Sequence, residues 1–67
     1  MMIDEKGNYM DQVDIQAQDI SGNWRTYHTT QNQSQKILIE MKTLKRSHPN
    51  FRVRAVDKNG RVVDILG

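Results

Sequence analysis

The sequence predicts a small α+β domain of order ββαββ: a four-stranded, mainly antiparallel sheet of two hairpins with one helix packed on one face. Three observations predict it. "VDIQAQDISGNWRTY" (13–27) and "FRVRAVDKNGRVVDI" (51–65) share the pattern apolar-x-apolar-x-Ala-x-Asp-x-(Ser/Asn)-Gly, 38 positions apart. Between them, apolar residues recur at helical spacing. A single proline, Pro49, separates that stretch from the second hairpin.

The first hairpin follows from alternation and turn chemistry. Val13, Ile15 and Ala17 fall on one face of a strand, and Tyr9 is in phase with them, so the strand is expected to begin near Asn8. Asp19 suits the first position of a type I turn, where its carboxylate accepts backbone N–H groups two residues on. Gly22 supplies the positive φ at which a three-residue hairpin loop ends in a bulge. That turn sets Trp24 opposite Gln18. The expected register puts Tyr27 inward with the core and Trp24, Thr26 and His28 outward, with Asp14 a cross-strand neighbour of His28.

The helix is expected over 31–47. Thr30 with Gln33 three residues later has the form of a capping box. Ser34, Ile37, Leu38, Met41 and Leu44 form an apolar stripe, and Lys45 and Arg46 favour the carboxyl end of the dipole. Pro49 stops the run, because it disfavours helical geometry at His48 and has no N–H.

The second hairpin repeats the first, with Asp57 and Gly60 in the turn. With Asp57 opposite Arg61, Phe51, Val53, Ala55, Val63 and Ile65 share the core face. Arg52, Arg54, Val56, Val62, Asp64 and Leu66 take the other, with Arg54 opposite Asp64. Residues 1–7 read as a loose tail and 8–67 as one domain.

Composition bounds the function. A chain of 67 residues buries only about 60% of its unfolded surface, so its core is a single layer of side chains. With no cysteine there is neither a disulfide nor a thiolate zinc site. No apolar run approaches 18 residues and no leader pattern is present, so a cytoplasmic protein without a membrane span is expected. The net charge of +2 is uneven: residues 1–19 carry −4 and residues 20–67 carry +6. Such asymmetry fits an anionic partner, or opposite charges brought together by the fold.

The chemistry of catalysis is missing from the pattern. His28 and His48 lie at no zinc-site spacing, "DKNG" lacks the glutamate of a calcium loop, and no glycine-rich phosphate loop or nucleophile elbow occurs. Asp14 with His28 reads as a surface hydrogen bond rather than an acid–base pair, since nothing here builds a pocket. No cofactor, metal or enzymatic activity is expected.

What remains is a surface. Trp24, His28, Arg52, Arg54, Val56, Val62 and Leu66 are expected on the sheet face away from the helix, and aromatics with arginine on an apolar patch are typical interface anchors. Two readings of Trp24 stand side by side: contact residue, or a ring covered by the amino-terminal segment or the chain end. On the helix, Ile39 lies among Lys36, Lys42, Thr43 and Arg46, a pattern that suits a solvated charged face or an anion-binding one.

"GNWRTYHTT", a short helix and "RVRAVDKNGRVVDIL" together resemble short open reading frames common in bacteriophages and prophages. The resemblance covers residues 13–66. It implies a context in which small proteins inhibit or modulate host proteins, and it carries over no functional residue. The sequence therefore points to a non-enzymatic protein-interaction module, self-associating or binding a partner through the open sheet face. Single-stranded nucleic acid on that face is the alternative.

Overall fold

Two identical turns organise the sheet. In the computed structural model, which describes residues 11–66, the Asp19 carboxylate accepts the N–H groups of Ser21 (2.9 Å) and Asn23 (3.1 Å). Asp57 accepts those of Asn59 and Arg61, both at 2.9 Å. Gly22 and Gly60 close these loops at φ +87° and +83°, donating to the carbonyls of Asp19 and Asp57 at 3.0 Å. The expected repeat of turn chemistry is thus present in atomic detail.

The elements run β1 (Gln12–Gln18), β2 (Trp24–Gln31), α1 (Ser34–Ser47), β3 (Arg52–Asp57) and β4 (Val62–Leu66). All pairings are antiparallel and the strand order is β2-β1-β3-β4. The helix connection therefore carries the chain from an edge strand to the centre, and β1 and β3 form the middle of the sheet. The expected tail at 1–7 and the strand start near Asn8 lie outside the described residues.

The central pair sets the core. Val13, Ile15 and Ala17 alternate on β1 with Val53 and Ala55 on β3, and Ile37, Met41 and Leu44 descend on them from α1. Across the strands Ile15 faces Ala55 and Ala17 faces Val53. Each small side chain thus sits beside a β-branched one and leaves room for the helix. Met41, fully buried, fills the remaining space with an unbranched, adaptable side chain. Phe51 and Leu66 pack at the margin of this cluster.

The structure corrects the expected helix start and cap, the helix stripe and the register of both edge strands. The helix begins at Ser34, not 31, because β2 continues to Gln31. Gln33 is the N-cap, without a side-chain capping bond, so Thr30 makes no capping box. Leu38 of the expected stripe is 39% exposed. In β2 a bulge follows Thr26, where Tyr27 is the extra residue: Gln16 pairs with Thr26 but Ile15 pairs with His28. In β4 a bulge inserts Val63: Val56 pairs with Val62, Ala55 with Asp64, Arg54 with Ile65 and Val53 with Leu66. Because side chains alternate, one inserted residue moves every later side chain to the other face. His28 and Leu66 go to the helix side and Ile65 to the open side. Asp14 is paired with Thr29, not His28, and Arg54 with Ile65, not Asp64.

Candidate functional site

The helix covers one face of the sheet, making its main contacts with β1, β2 and β3. Cross-strand pairing defines what the other face presents. One row runs Trp24, Gln18, Arg52; the next runs Thr26, Gln16, Arg54, Ile65; a third runs Thr29, Asp14, Val56, Val62. Among the described residues, no element lies over these rows.

The centre of the face is tied by side chains. Arg54 donates Nε–H to Gln16 Oε1 at 2.9 Å, and Gln16 Nε2 donates to Thr26 Oγ1 at 3.1 Å. The Arg54 guanidinium reaches on across β1 and lies 3.9 Å above the centroid of the Trp24 ring. The ring is half-buried under this cation–π contact; the amino-terminal segment expected as its alternative cover lies outside the described residues. Thr29 donates to Asp14 Oδ1 at 3.3 Å in the third row. Beside this polar centre lies an apolar corner, where Val62 is 50% and Ile65 45% exposed next to the half-buried Val56.

Of the seven residues expected on this face, the structure brings together Trp24, Arg52, Arg54, Val56 and Val62 there. His28 and Leu66 lie on the helix side, where Leu66 packs on the core margin and His28 Nε2 stands 3.3 Å from Glu40 Oε2 of the helix. Ile65, Gln16 and Thr29 of the face escaped the sequence pattern, Thr29 because the bulge at Tyr27 brings it opposite Asp14. The turn register with Asp57 opposite Arg61 puts Ile65 inward, and adjacent Ile65 and Leu66 give no alternation that would reveal the bulge. Gln16 carries no signal of its own beyond lying between Ile15 and Ala17.

The helix side holds a second feature. Tyr27, His28, Glu40, Thr43, Leu44, Ser47 and His48 line a hollow of about 300 Å³ between β2 and the end of α1. The His48 ring stacks on Phe51 (centroids 5.0 Å apart) and tilts against Tyr27 (5.2 Å). Both histidines of the chain meet here, yet among the described residues no three His, Cys, Asp or Glu side chains converge as a metal site would require. Thr43 and Ser47 spend their hydroxyls on the helix carbonyls of Ile39 and Thr43.

Opposite charges do find one another across the chain. Asp11 Oδ1 is 2.9 Å from Lys58 Nζ, linking the acidic beginning of β1 to the second turn, and Asp19 Oδ2 is 3.7 Å from Arg25. No described helix is long and apolar enough to cross a membrane. Comparison with protein-family models, curated proteins and solved structures gives no match.

Proposed function

We propose that this protein is a non-enzymatic protein-interaction module that engages its partner with the uncovered face of its sheet. One observation carries the reading. The helix occupies a single face, and the other presents Trp24 under Arg54 together with the apolar corner of Val56, Val62 and Ile65. A half-apolar face with one aromatic–arginine anchor has the composition of an interface centre. The resemblance to phage-type reading frames fits a modulator of a host protein. Single-stranded nucleic acid is less well served, because Arg54 already covers the ring on which a base would stack.

The test is comparative capture from host extract with wild type, a Val62→Glu/Ile65→Glu variant, and an Ile39→Glu control on the exposed helix face. A protein bound by wild type and control but lost from the double variant supports the reading. Identical profiles from all three overturn it.

A further inference from the structure

We propose that the outer face of α1 docks on an anionic lipid surface, a second interaction independent of the one assigned to the sheet. The placement of charge carries the inference. α1 holds Lys36, Lys42, Lys45 and Arg46 against a single acid, Glu40. Glu40 turns toward β2, where His28 stands 3.3 Å from it. Lys42 and Arg46 have no ion pair among the described residues. Lys36 donates to the Gln31 side-chain oxygen and Lys45 to the Phe51 carbonyl, neutral partners that leave both charges uncompensated. The other described acids, from Asp11 to Asp64, belong to the hairpins.

Residues three and four apart share a helix face. Gln35, Ile39, Lys42 and Arg46 therefore form a ridge opposite the buried Ile37, Met41 and Leu44, with Lys36 and Leu38 on its flanks. On this ridge Ile39 is 62% exposed, and Leu38 beside it 39%. A convex helix offers no pocket to a small anion, so its complement is an extended negative surface. Nucleic-acid phosphates would meet the cations but leave both aliphatic side chains in water. The interface of an anionic bilayer takes both, headgroups meeting the cations and the upper acyl carbons meeting Ile39 and Leu38. From Gln35 to Arg46 the helix offers about 16 Å of contact, lying flat on the surface. The open sheet face then points away from the lipid, free for a protein partner. Each basic side chain near such a surface is worth about fivefold in affinity, so Lys36, Lys42 and Arg46 together supply about a hundredfold.

Co-sedimentation of the full chain tests this with vesicles of phosphatidylcholine alone and of phosphatidylcholine mixed with an equal part of phosphatidylglycerol. Wild type should bind the mixed vesicles about a hundredfold more tightly than the neutral ones, less so as salt rises. Lys42→Glu/Arg46→Glu should lose at least about a hundredfold, and Ile39→Glu at least about tenfold. Arg25→Glu/Arg61→Glu lowers the net charge equally but lies off the helix, and should stay within about fivefold of wild type. All these side chains are exposed, and circular dichroism checks each fold. Should a variant unfold, a polarity-sensitive dye reads the face directly, since the chain has no cysteine of its own. On Ile39→Cys it should brighten with mixed vesicles, and on Thr26→Cys of the sheet it should not. No binding to mixed vesicles, or equal losses from the two charge-reversal pairs, overturns the proposal. Binding of a single-stranded oligonucleotide through Lys42 and Arg46, with none to vesicles, gives the face to nucleic acid and overturns it too. Val62→Glu/Ile65→Glu should keep its vesicle binding whether or not it still captures a host protein, so the two readings fail separately. Loss of vesicle binding in that variant would move the docking face to the sheet and overturn the assignment to α1.

Discussion

The bulge at Val63 makes neighbouring residues behave oppositely, and a pair of identical substitutions exposes it. Ile65 pairs with Arg54 on the open face, whereas Leu66 pairs with the fully buried Val53 and packs on the core margin. Ile65→Glu removes a side chain already 45% exposed, a loss of about 1 kcal/mol. The new carboxylate stands across from Arg54, and an opposite-charge cross-strand pair returns about 0.2–1 kcal/mol. The net cost is about 0.5 kcal/mol. Leu66→Glu instead forfeits about 1.5 kcal/mol of apolar burial and sets a carboxylate beside Val53 without a partner, a further 1–3 kcal/mol or so. The sum, about 3 kcal/mol, is a large share of the roughly 3–10 kcal/mol available to a chain of this size. Urea denaturation at a few micromolar, followed by emission of the single Trp24, measures the difference. With a slope of about 1 kcal/mol/M, the two midpoints should lie more than about 2 M apart. Equal midpoints, or a lower one for Ile65→Glu, would place Ile65 under the helix and refute the bulge.

Further expectations follow from the same geometry. Gly22→Ala and Gly60→Ala should each cost about 1 kcal/mol in urea denaturation, since both sit at left-handed φ. A Cβ at Gly60 meets nothing within 4 Å, so Gly60→Asn, which tolerates that conformation, should recover part of the loss. Arg54→Ala should shift Trp24 emission to the red and lower stability by about 1 kcal/mol, because it uncovers the ring. An unchanged spectrum would remove the cation–π contact from the account. The hydrogen bond from Lys58 to Asp11, then the Asp11 charge, hold the Lys58 ammonium above its ordinary 10.5. A raised folded value stabilises fully below the unfolded one and fades as pH climbs through the raised one. The midpoint gap between wild type and Lys58→Met should thus hold steady well below the ordinary 10.5 and shrink as pH rises past it. Asp64→Ala should increase aggregation, read as turbidity on prolonged incubation, because the Asp64 carboxylate accepts the Ile65 backbone N–H at 2.8 Å on the edge strand.

What the sequence made legible is what chain-local chemistry decides. An aspartate three residues before a glycine specifies its turn whatever the rest of the fold does, and both turns formed as expected. Strict alternation in Val13, Ile15, Ala17 and in Val53, Ala55 leaves one choice of buried face, so the central strands were readable too. The edge strands were not. "VVDIL" offers apolar residues to both faces, and "WRTYHTTQ" is polar almost throughout, so neither penalises an inserted residue by exposing a core side chain. On β2 the helix meets the bulged stretch: Glu40 meets His28, and His48 meets Tyr27. Those partners lie far along the chain and no local pattern announces them. The helix start slipped for a related reason, since β2 claims Thr30 and Gln31 through pairing with Val13 and Gln12.

The two bulges also bear on how the molecule meets others. A sheet can recruit a partner by its edge, through backbone hydrogen bonds, or by its face, through side chains. Both edge strands here carry an irregularity, at Tyr27 in β2 and at Val63 in β4, and bulged edges twist away from strand addition. On β4 the Asp64 carboxylate, set at the rim, takes up the Ile65 amide that an added strand would need. The same insertion that blunts this edge turns Ile65 onto the open face beside Val62 and Val56. One residue, Val63, thus works against edge pairing and enlarges the apolar corner of the face. That double consequence is why the proposed interaction is argued for the face of the sheet rather than for extension at its edge.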